Sequence, residues 1–147
     1  MYDNWGANIA VVVATIVAVS ACVAIHYEGL EWLSRRLPRM HLHRRTLIYA
    51  IFAIIGLHIT EIWTFGLAYT ALLEWPETGR MTGLEAHSWL DNIYFSAVVY
   101  TTLGLGDIAP RGPIRFMAGT EALTGFVLIA WSASFTYLEM ERRWRER

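Results

Sequence analysis

A short stretch between two apolar segments combines residue types that could coordinate a cation. Residues 101–107 read TTLGLGD, so two glycines alternate with apolar residues, behind two threonines and ahead of one acid. A cation that crosses a membrane must exchange its hydration shell for other oxygens, and backbone carbonyls supply these at high density. Successive carbonyls can aim into one lumen when backbone angles alternate in sign, and Gly104 and Gly106 can adopt positive φ at little cost. The stretch therefore predicts a cation-coordinating loop.

The candidate ligands in this loop are the oxygens of four consecutive residues. We assign them to one threonine hydroxyl and to backbone carbonyls, which belong to Thr102, Leu103, Gly104 and Leu105. Gly106 completes the loop, and Asp107 is expected just outside it, where the carboxylate supports the loop from behind and makes its mouth negative. Because a helix carries partial negative charge at its C-terminal end, a helix that ends at this loop would favour a cation there.

The composition of the chain favours a membrane protein. Of the 147 residues, 55% are hydrophobic and 17% are charged, and the mean hydropathy is +0.35. Soluble domains usually carry about 25% charged residues, and this length suits a single domain. The net charge of −1 argues against a nucleic-acid partner. Cys22 is the only cysteine, which excludes a disulfide within the chain.

Three apolar segments are long enough to span a bilayer, which takes about 20 helical residues. They run from Ala7 to Ile25, from Leu47 to Leu73 and from Ile114 to Leu138. The residues before the first segment include no Lys or Arg, whereas a signal peptide begins with basic residues, so we expect a retained transmembrane helix. Residues 27–39 continue a leucine-rich face up to Pro38, which predicts either a helix in the membrane interface or an extension of the first span.

A polar connector and a short apolar segment lie between the second and third spans. Residues 74–88 are predicted as an extracellular turret, in which Thr82 and Glu85 have capping-box spacing and predict a short helix. Residues 89–101 are predicted as a helix that leads into the loop, and residues 108–112 as a tight exit loop. The candidate ligands are thus expected between a short helix and the start of the last span.

Tyr94 and Phe95 stand in the short helix before the T-L-G-L-G-D loop. An aromatic-rich pore helix followed by a T-x-G-Y-G-D selectivity filter is the pattern of the potassium-channel family, which this stretch resembles. The resemblance covers Leu47 to Arg143. It implies an all-α membrane fold with three transmembrane helices, a re-entrant pore helix and a selectivity filter, assembled as a tetramer. It also implies K⁺ as the permeant ion, held at Thr102, Leu103, Gly104 and Leu105.

The resemblance divides the chain into three parts. Residues 1–45 would hold the N-terminal transmembrane helix and an interfacial cytoplasmic linker, residues 46–140 the pore domain, and residues 141–147 a short cytoplasmic tail, with no ligand-binding domain. Within the pore domain, the expected elements are the outer helix 47–73, the turret 74–88, the pore helix 89–101, the filter 102–106 and the inner helix 114–138.

A tetramer follows from the number of loops. Potassium filters take carbonyls from four loops and one chain supplies one, so we expect a homotetramer in the lipid bilayer, with the ion path on its fourfold axis. The last span would line the cavity, the second would lie outside it, and the first would pack on the lipid-facing periphery in a structural role.

These features predict a channel for passive K⁺ flux rather than an enzyme. Leu105 replaces the family's tyrosine, which packs against pore-helix aromatics, so a weakly selective channel for Na⁺ and K⁺ is an alternative. A non-conducting subunit that modifies a partner channel is another, and a membrane enzyme that uses His58, Glu61 and Glu121 is a third. The intact loop disfavours the subunit, and the lack of a matching nucleophile or metal signature disfavours the enzyme.

Support for the filter is expected from residues around it. Val98 occupies a position where some bacterial members carry a glutamate paired with the filter aspartate, so Tyr94 is expected to bond Asp107 instead. Thr101, directly before the loop, is assigned to the same support. Gly125 falls near the middle of the last span, where the family often has a gating-hinge glycine, although glycine is also common in membrane helices for packing alone.

Polar residues within the apolar spans are the least explained set. His58 and Glu61 share a helical face of the second span, and Glu121 interrupts the last span. One hypothesis is a proton- or metal-sensitive site behind the filter. The favoured alternative is that each residue bonds a neighbouring backbone or hydroxyl group and stiffens the packing. His41 and His43 have no Cys or acid nearby, so we expect no metal site there.

The arginines predict the orientation in the membrane. Those between the first two spans or after the last are Arg35, Arg36, Arg39, Arg44, Arg45, Arg142, Arg143, Arg145 and Arg147. The other side carries only Arg80, Arg111 and Arg115. By the positive-inside rule, the N-terminus is expected outside and the C-terminus in the cytoplasm. The small size suggests a bacterial cytoplasmic membrane. No stimulus for opening is predicted.

Overall fold

The backbone of the described residues is almost entirely helical. The computed structural model describes residues 4–37, 43–83 and 88–145. Within those residues, the α-helices are α1 (Trp5–Arg36), α2 (His43–Leu73), α3 (Trp89–Tyr100) and α4 (Arg115–Arg145). The 3₁₀ turn Pro76–Thr78 and two three-residue strands, β1 (Arg80–Thr82) and β2 (Ala109–Arg111), lie between the helices.

Three of these helices are long and apolar enough to cross a membrane. They are all of α1, residues Thr46–Leu73 of α2 and residues Arg115–Arg142 of α4, with 28 residues or more in each. At 1.5 Å per residue such helices are about 42 Å long, which exceeds the roughly 30 Å of the hydrocarbon core. Together with the short α3, they confirm the predicted all-α membrane fold.

Helix α1 continues without a break through the leucine-rich residues that follow the first span. Its N-terminus is capped by the Asn4 side chain, which accepts hydrogen bonds from the backbone of the first turn. Leu30 and Leu33 are buried against Ala50 and Ile54 of α2. This face packs on another helix, so residues 27–36 extend the first span, as one of the two alternatives predicted. The other prediction, a separate helix in the membrane interface, is wrong for the residues up to Arg36. Residues 38–42 lie outside the described residues.

The turret differs from the prediction. Strands β1 and β2 pair antiparallel, with Arg80 opposite Arg111 and Thr82 opposite Ala109. Residues 108–112, predicted as a plain exit loop, therefore contribute a strand. The predicted cap, Thr82, lies in β1 instead, where its hydroxyl donates to the Ala109 carbonyl at 2.9 Å. Its predicted partner Glu85 lies outside the described residues.

The last helix is longer than predicted. α4 continues through residues 139–145, so the part of the predicted tail 141–147 that the structure describes is helical. An ion pair between Glu141 and Arg145, one turn apart with N and O at 2.6 Å, supports this end of the helix.

The core lies where α3 packs between α2 and α4. Tyr69 of α2 meets Phe95 of α3 edge to face, with ring centroids 5.2 Å apart. Tyr100, at the end of α3, and Met117 of α4 are fully buried in the same cluster. Gly66 of α2 touches α3 so closely that an added Cβ would lie 2.9 Å from the Cα of Ile93. This packing fixes the position of α3 and of the loop after it.

Candidate functional site

The short helix α3 ends at the candidate ligand loop. At its start, the backbone N–H of Ser88 donates to the Asp91 carboxylate at 2.7 Å, which caps the first turn. At its end, the backbone N–H groups of Leu103 and Gly104 both donate hydrogen bonds to the Val98 carbonyl oxygen, at 3.0 and 3.4 Å. The chain therefore folds back on the last turn and places the loop at the negative end of the helix.

The loop has the backbone that its glycines predicted. Gly104 has φ of 59° and Gly106 has φ of 80°. Thr102 also has φ of 59°, and within the described residues it is the only non-glycine with positive φ. Left-handed backbone thus recurs at every second residue. An added Cβ at Gly104 or Gly106 would meet nothing within 4 Å, so it is the backbone angle and not crowding that favours glycine there.

Side chains of the loop project away from the rest of the chain. Leu103 and Leu105 are 63% and 59% exposed. Thr101 is tied to α3 instead, because its hydroxyl donates to the Ala97 carbonyl at 2.7 Å.

The predicted partner of Asp107 is present. The Tyr94 hydroxyl donates to the Asp107 carboxylate at 2.7 Å, which joins α3 to the residue after the loop. This hydrogen bond to Asp107 raises the pKa of Tyr94, since an ionised phenolate could not donate it. The turret adds a second contact, because a Cβ added at Gly83 would lie 1.8 Å from the Asp107 carbonyl oxygen.

A buried hydrogen-bond network lies behind the end of α3, around Glu61. The Nδ1 atoms of His26 and His58 lie 2.8 and 3.1 Å from the two Glu61 oxygens. The Tyr100 hydroxyl also donates to Glu61. Ser132 completes the network, with its Oγ 3.3 Å from Nε2 of His26. Glu61 is thus satisfied by three side chains from α1, α2 and α3.

Glu121 belongs to a different network. It accepts hydrogen bonds from the hydroxyls of Tyr69, at 2.6 Å, and of Ser96. The structure therefore brings His58 and Glu61 together, as their spacing predicted, and gives Glu121 partners of its own. Each carboxylate accepts at least one hydrogen bond from a hydroxyl group, Glu61 from Tyr100 and Glu121 from Tyr69 and Ser96.

The sequence reasoning missed His26. It assigned α1 a purely structural role, whereas His26 is fully buried and contacts α2 and α4. A signal was present in the sequence, since His26 directly follows the predicted span and an ionisable residue in a membrane helix normally faces protein and finds a partner. The partners themselves lie 35 residues and more away along the chain.

Gly125 sits where α4 crosses the end of α3. A Cβ added there would lie 2.0 Å from the Tyr100 carbonyl oxygen and 2.9 Å from its ring. Such a contact is impossible without moving one helix. The glycine is thus required by packing, whether or not α4 also bends at this point.

Comparisons with known proteins agree with this architecture. A family model described as an ion channel matches residues 46–140. The chain is 32% identical over 90 residues to the inward rectifier potassium channel Kirbac3.1 of Paramagnetospirillum magnetotacticum. The aligned residues make up 60% of this chain and 29% of that protein. It is 29% identical over 68 residues to protein LctB of Geobacillus stearothermophilus, or 46% of this chain and 51% of that one.

A further relative is a Bacillus subtilis protein, the uncharacterized membrane protein YdjJ. It is 40% identical over 52 residues, which are 35% of this chain and 15% of that protein. The chain thus spans about half or less of the length of these relatives. No solved structure matches significantly. Because the family model covers more than half of the chain, including the pore helix and the loop, the chain belongs to the ion-channel family, with a potassium-channel type of pore.

Proposed function

We propose that the chain is a channel for passive K⁺ flux, with its filter at residues 102–106. The observation that carries the proposal is the left-handed backbone at Thr102, Gly104 and Gly106, directly after a helix whose negative end points at the loop. Alternating backbone angles allow successive carbonyls to line one path, and such carbonyls replace the hydration shell of K⁺. The proposed ligands are the Thr102 hydroxyl and the carbonyls of residues 102–105.

The assembly in this proposal is a homotetramer. One loop supplies carbonyls from one side only, and potassium filters use four loops. Leu103 and Leu105 are largely exposed in the single chain. Leu123 and Phe126 of α4 are also largely exposed. Neighbouring copies would cover these side chains, with α4 lining the cavity below the filter.

The proposed orientation places the N-terminus outside and the C-terminus in the cytoplasm. Asn4, directly before α1, donates a hydrogen bond to Glu77 in the turret, so the start of α1 lies beside the turret. Arg35 and Arg36 follow at the other end of α1. The excess of arginine at that end favours the cytoplasmic side. A bacterial cytoplasmic membrane is the proposed location.

Weakly selective conduction of Na⁺ and K⁺ is the second candidate function. Leu105 replaces the tyrosine of the family pattern, so the outer part of the filter lacks that hydroxyl. The hydrogen bond from Tyr94 to Asp107 is the support that the chain offers in its place. The choice between the two candidates therefore depends on how rigidly this bond holds the loop.

Ion flux in liposomes that contain only the purified protein tests the proposal. We expect K⁺ flux far above Na⁺ flux, and loss of both in Gly104→Ala, because alanine disfavours the positive φ of 59°. Gly56→Ala is the matched control, since its Cβ would meet nothing within 4 Å and its backbone is helical.

Comparable fluxes of the two ions would establish the weakly selective channel. No flux of either ion under any pH or membrane tension would favour a non-conducting subunit. Flux that survives Gly104→Ala would contradict the assignment of the filter to this loop.

A further inference from the structure

Two imidazoles and one carboxylate converge beside the side chain of Tyr100, the last residue of α3. The residues are His26 of α1 and His58 and Glu61 of α2, and one ligand atom from each lies within 4.8 Å of the others. The side chains of His26 and Glu61 are fully buried, and that of His58 is 17% exposed. The group is therefore enclosed by helices, and only the His58 side chain is partly exposed.

The two nitrogen–oxygen distances in this group are close to the spacing between the ligands of a tetrahedral metal ion. Nδ1 of His26 lies 2.8 Å from one Glu61 oxygen, and Nδ1 of His58 lies 3.1 Å from the other. Two ligands bonded to Zn²⁺ at 2.0–2.1 Å in a tetrahedron are about 3.3 Å apart. The two rings present the same nitrogen to opposite oxygens of one carboxylate, and one ligand atom from each residue lies within 4.8 Å of the others, so the three side chains would bind one ion by moving closer together.

The surroundings supply further parts of a metal site. The Tyr100 hydroxyl lies 3.0 Å from Nδ1 of His58 and offers a fourth ligand atom. Ser132 Oγ lies 3.3 Å from Nε2 of His26, so it can hold that ring with Nδ1 turned toward Glu61. Outer partners of this kind orient metal-bound histidines. The Glu61 carboxylate offsets part of the charge of a divalent ion within the protein interior.

We propose that His26, His58 and Glu61 form a binding site for a divalent transition-metal ion of the zinc type. Two neutral imidazoles with one carboxylate suit such ions, whereas K⁺ and Mg²⁺ prefer oxygen ligands throughout. The site joins α1 to α2 beside Tyr100, the last residue of the pore helix. It is separate from the proposed filter and does not depend on conduction.

Visible absorption of bound Co²⁺, a coloured substitute for Zn²⁺, tests the site in the purified full-length chain. At neutral pH, we expect visible bands that saturate at one Co²⁺ per chain and disappear when Zn²⁺ is added. His26→Asn and His58→Asn each keep an amide donor near Nδ1 but remove a ligand. We expect each to weaken binding by more than about 100-fold, because the loss of even an outer partner costs 10–100-fold.

The controls separate this site from other histidines and from the filter. The double variant His41→Asn/His43→Asn removes two histidines outside the group and should bind Co²⁺ as the unaltered chain does. Gly104→Ala should abolish ion flux but bind Co²⁺ as the unaltered chain does. This variant therefore distinguishes a failure of conduction from a failure of metal binding.

Two results would overturn the proposal. One is an unaltered chain that gives no Co²⁺ bands and binds no Zn²⁺. The other is binding that survives both His58→Asn and Glu61→Gln. His58 is the more exposed of the two histidines, so its variant keeps the test decisive if His26→Asn does not assemble.

Discussion

At the scale of single residues, the hydrogen bond from Tyr94 to Asp107 is the proposed support of the filter. Tyr94→Phe removes only the hydroxyl that donates at 2.7 Å. We expect shorter openings of the filter in single-channel recordings, because Asp107 loses its tether to α3. Tyr137→Phe, at an exposed tyrosine on α4, is the matched control and should leave the open time unchanged. Equal open times in both variants would remove Tyr94 from the filter support.

The same bond predicts a dependence on pH. It raises the pKa of Tyr94 above the ordinary value of about 10, and the bond needs the protonated hydroxyl. A group with a raised pKa contributes its stabilisation in full below the ordinary value and loses it as the pH rises through the raised value. Open times should therefore be constant through neutral pH and shorten only in strong alkali. In Tyr94→Phe, this alkaline phase should be missing.

Glu121 offers a second test at this scale. It accepts hydrogen bonds from Tyr69 and Ser96, and all three side chains are buried. Glu121→Ala would leave the buried Tyr69 hydroxyl without its acceptor, at a cost of about 1–3 kcal/mol, whereas the Ser96 hydroxyl keeps the Ile62 carbonyl at 2.8 Å. Glu121→Gln keeps one acceptor oxygen and should cost less. Thermal unfolding in detergent measures both, and equal midpoints for the two variants would contradict this account.

At the scale of elements, the crossing of α4 over α3 is set by Gly125. In Gly125→Ala, the added Cβ would lie 2.0 Å from the Tyr100 carbonyl oxygen, so the two helices must separate. We expect a loss of about 1–3 kcal/mol in stability, typical of an overpacked core, together with reduced flux. Gly119→Ala in the same helix meets nothing within 4 Å and should be neutral or slightly stabilising. Unchanged stability with altered opening would instead identify Gly125 as a hinge only.

The elements also show what the sequence could reveal. Long apolar runs predicted the three membrane helices, and the alternation of glycine predicted the positive φ of Gly104 and Gly106. These signals are local, because each is a pattern of residues that follow one another in the sequence. The pairing of β1 with β2 was missed because three-residue strands carry almost no periodicity, and because the two strands are separated in the sequence by α3. His26 was missed for a related reason, since its partner Glu61 is identified only by the packing of α1 on α2.

At the scale of the whole molecule, the proposed tetramer predicts that several chains share one filter. Leu103 and Leu105 are 63% and 59% exposed, although they belong to the loop that is proposed to surround the ion. If four copies share one path, a single defective loop interrupts the ring of carbonyls in the whole assembly. The unaltered chain should therefore be co-expressed with Gly104→Ala. We expect the fraction of K⁺ flux that is lost to be much larger than the fraction of chains that carry the substitution. Gly56→Ala, mixed in the same proportions, should leave flux unchanged. Flux that falls only in direct proportion to the altered share would show that each chain conducts on its own, and would contradict the tetramer.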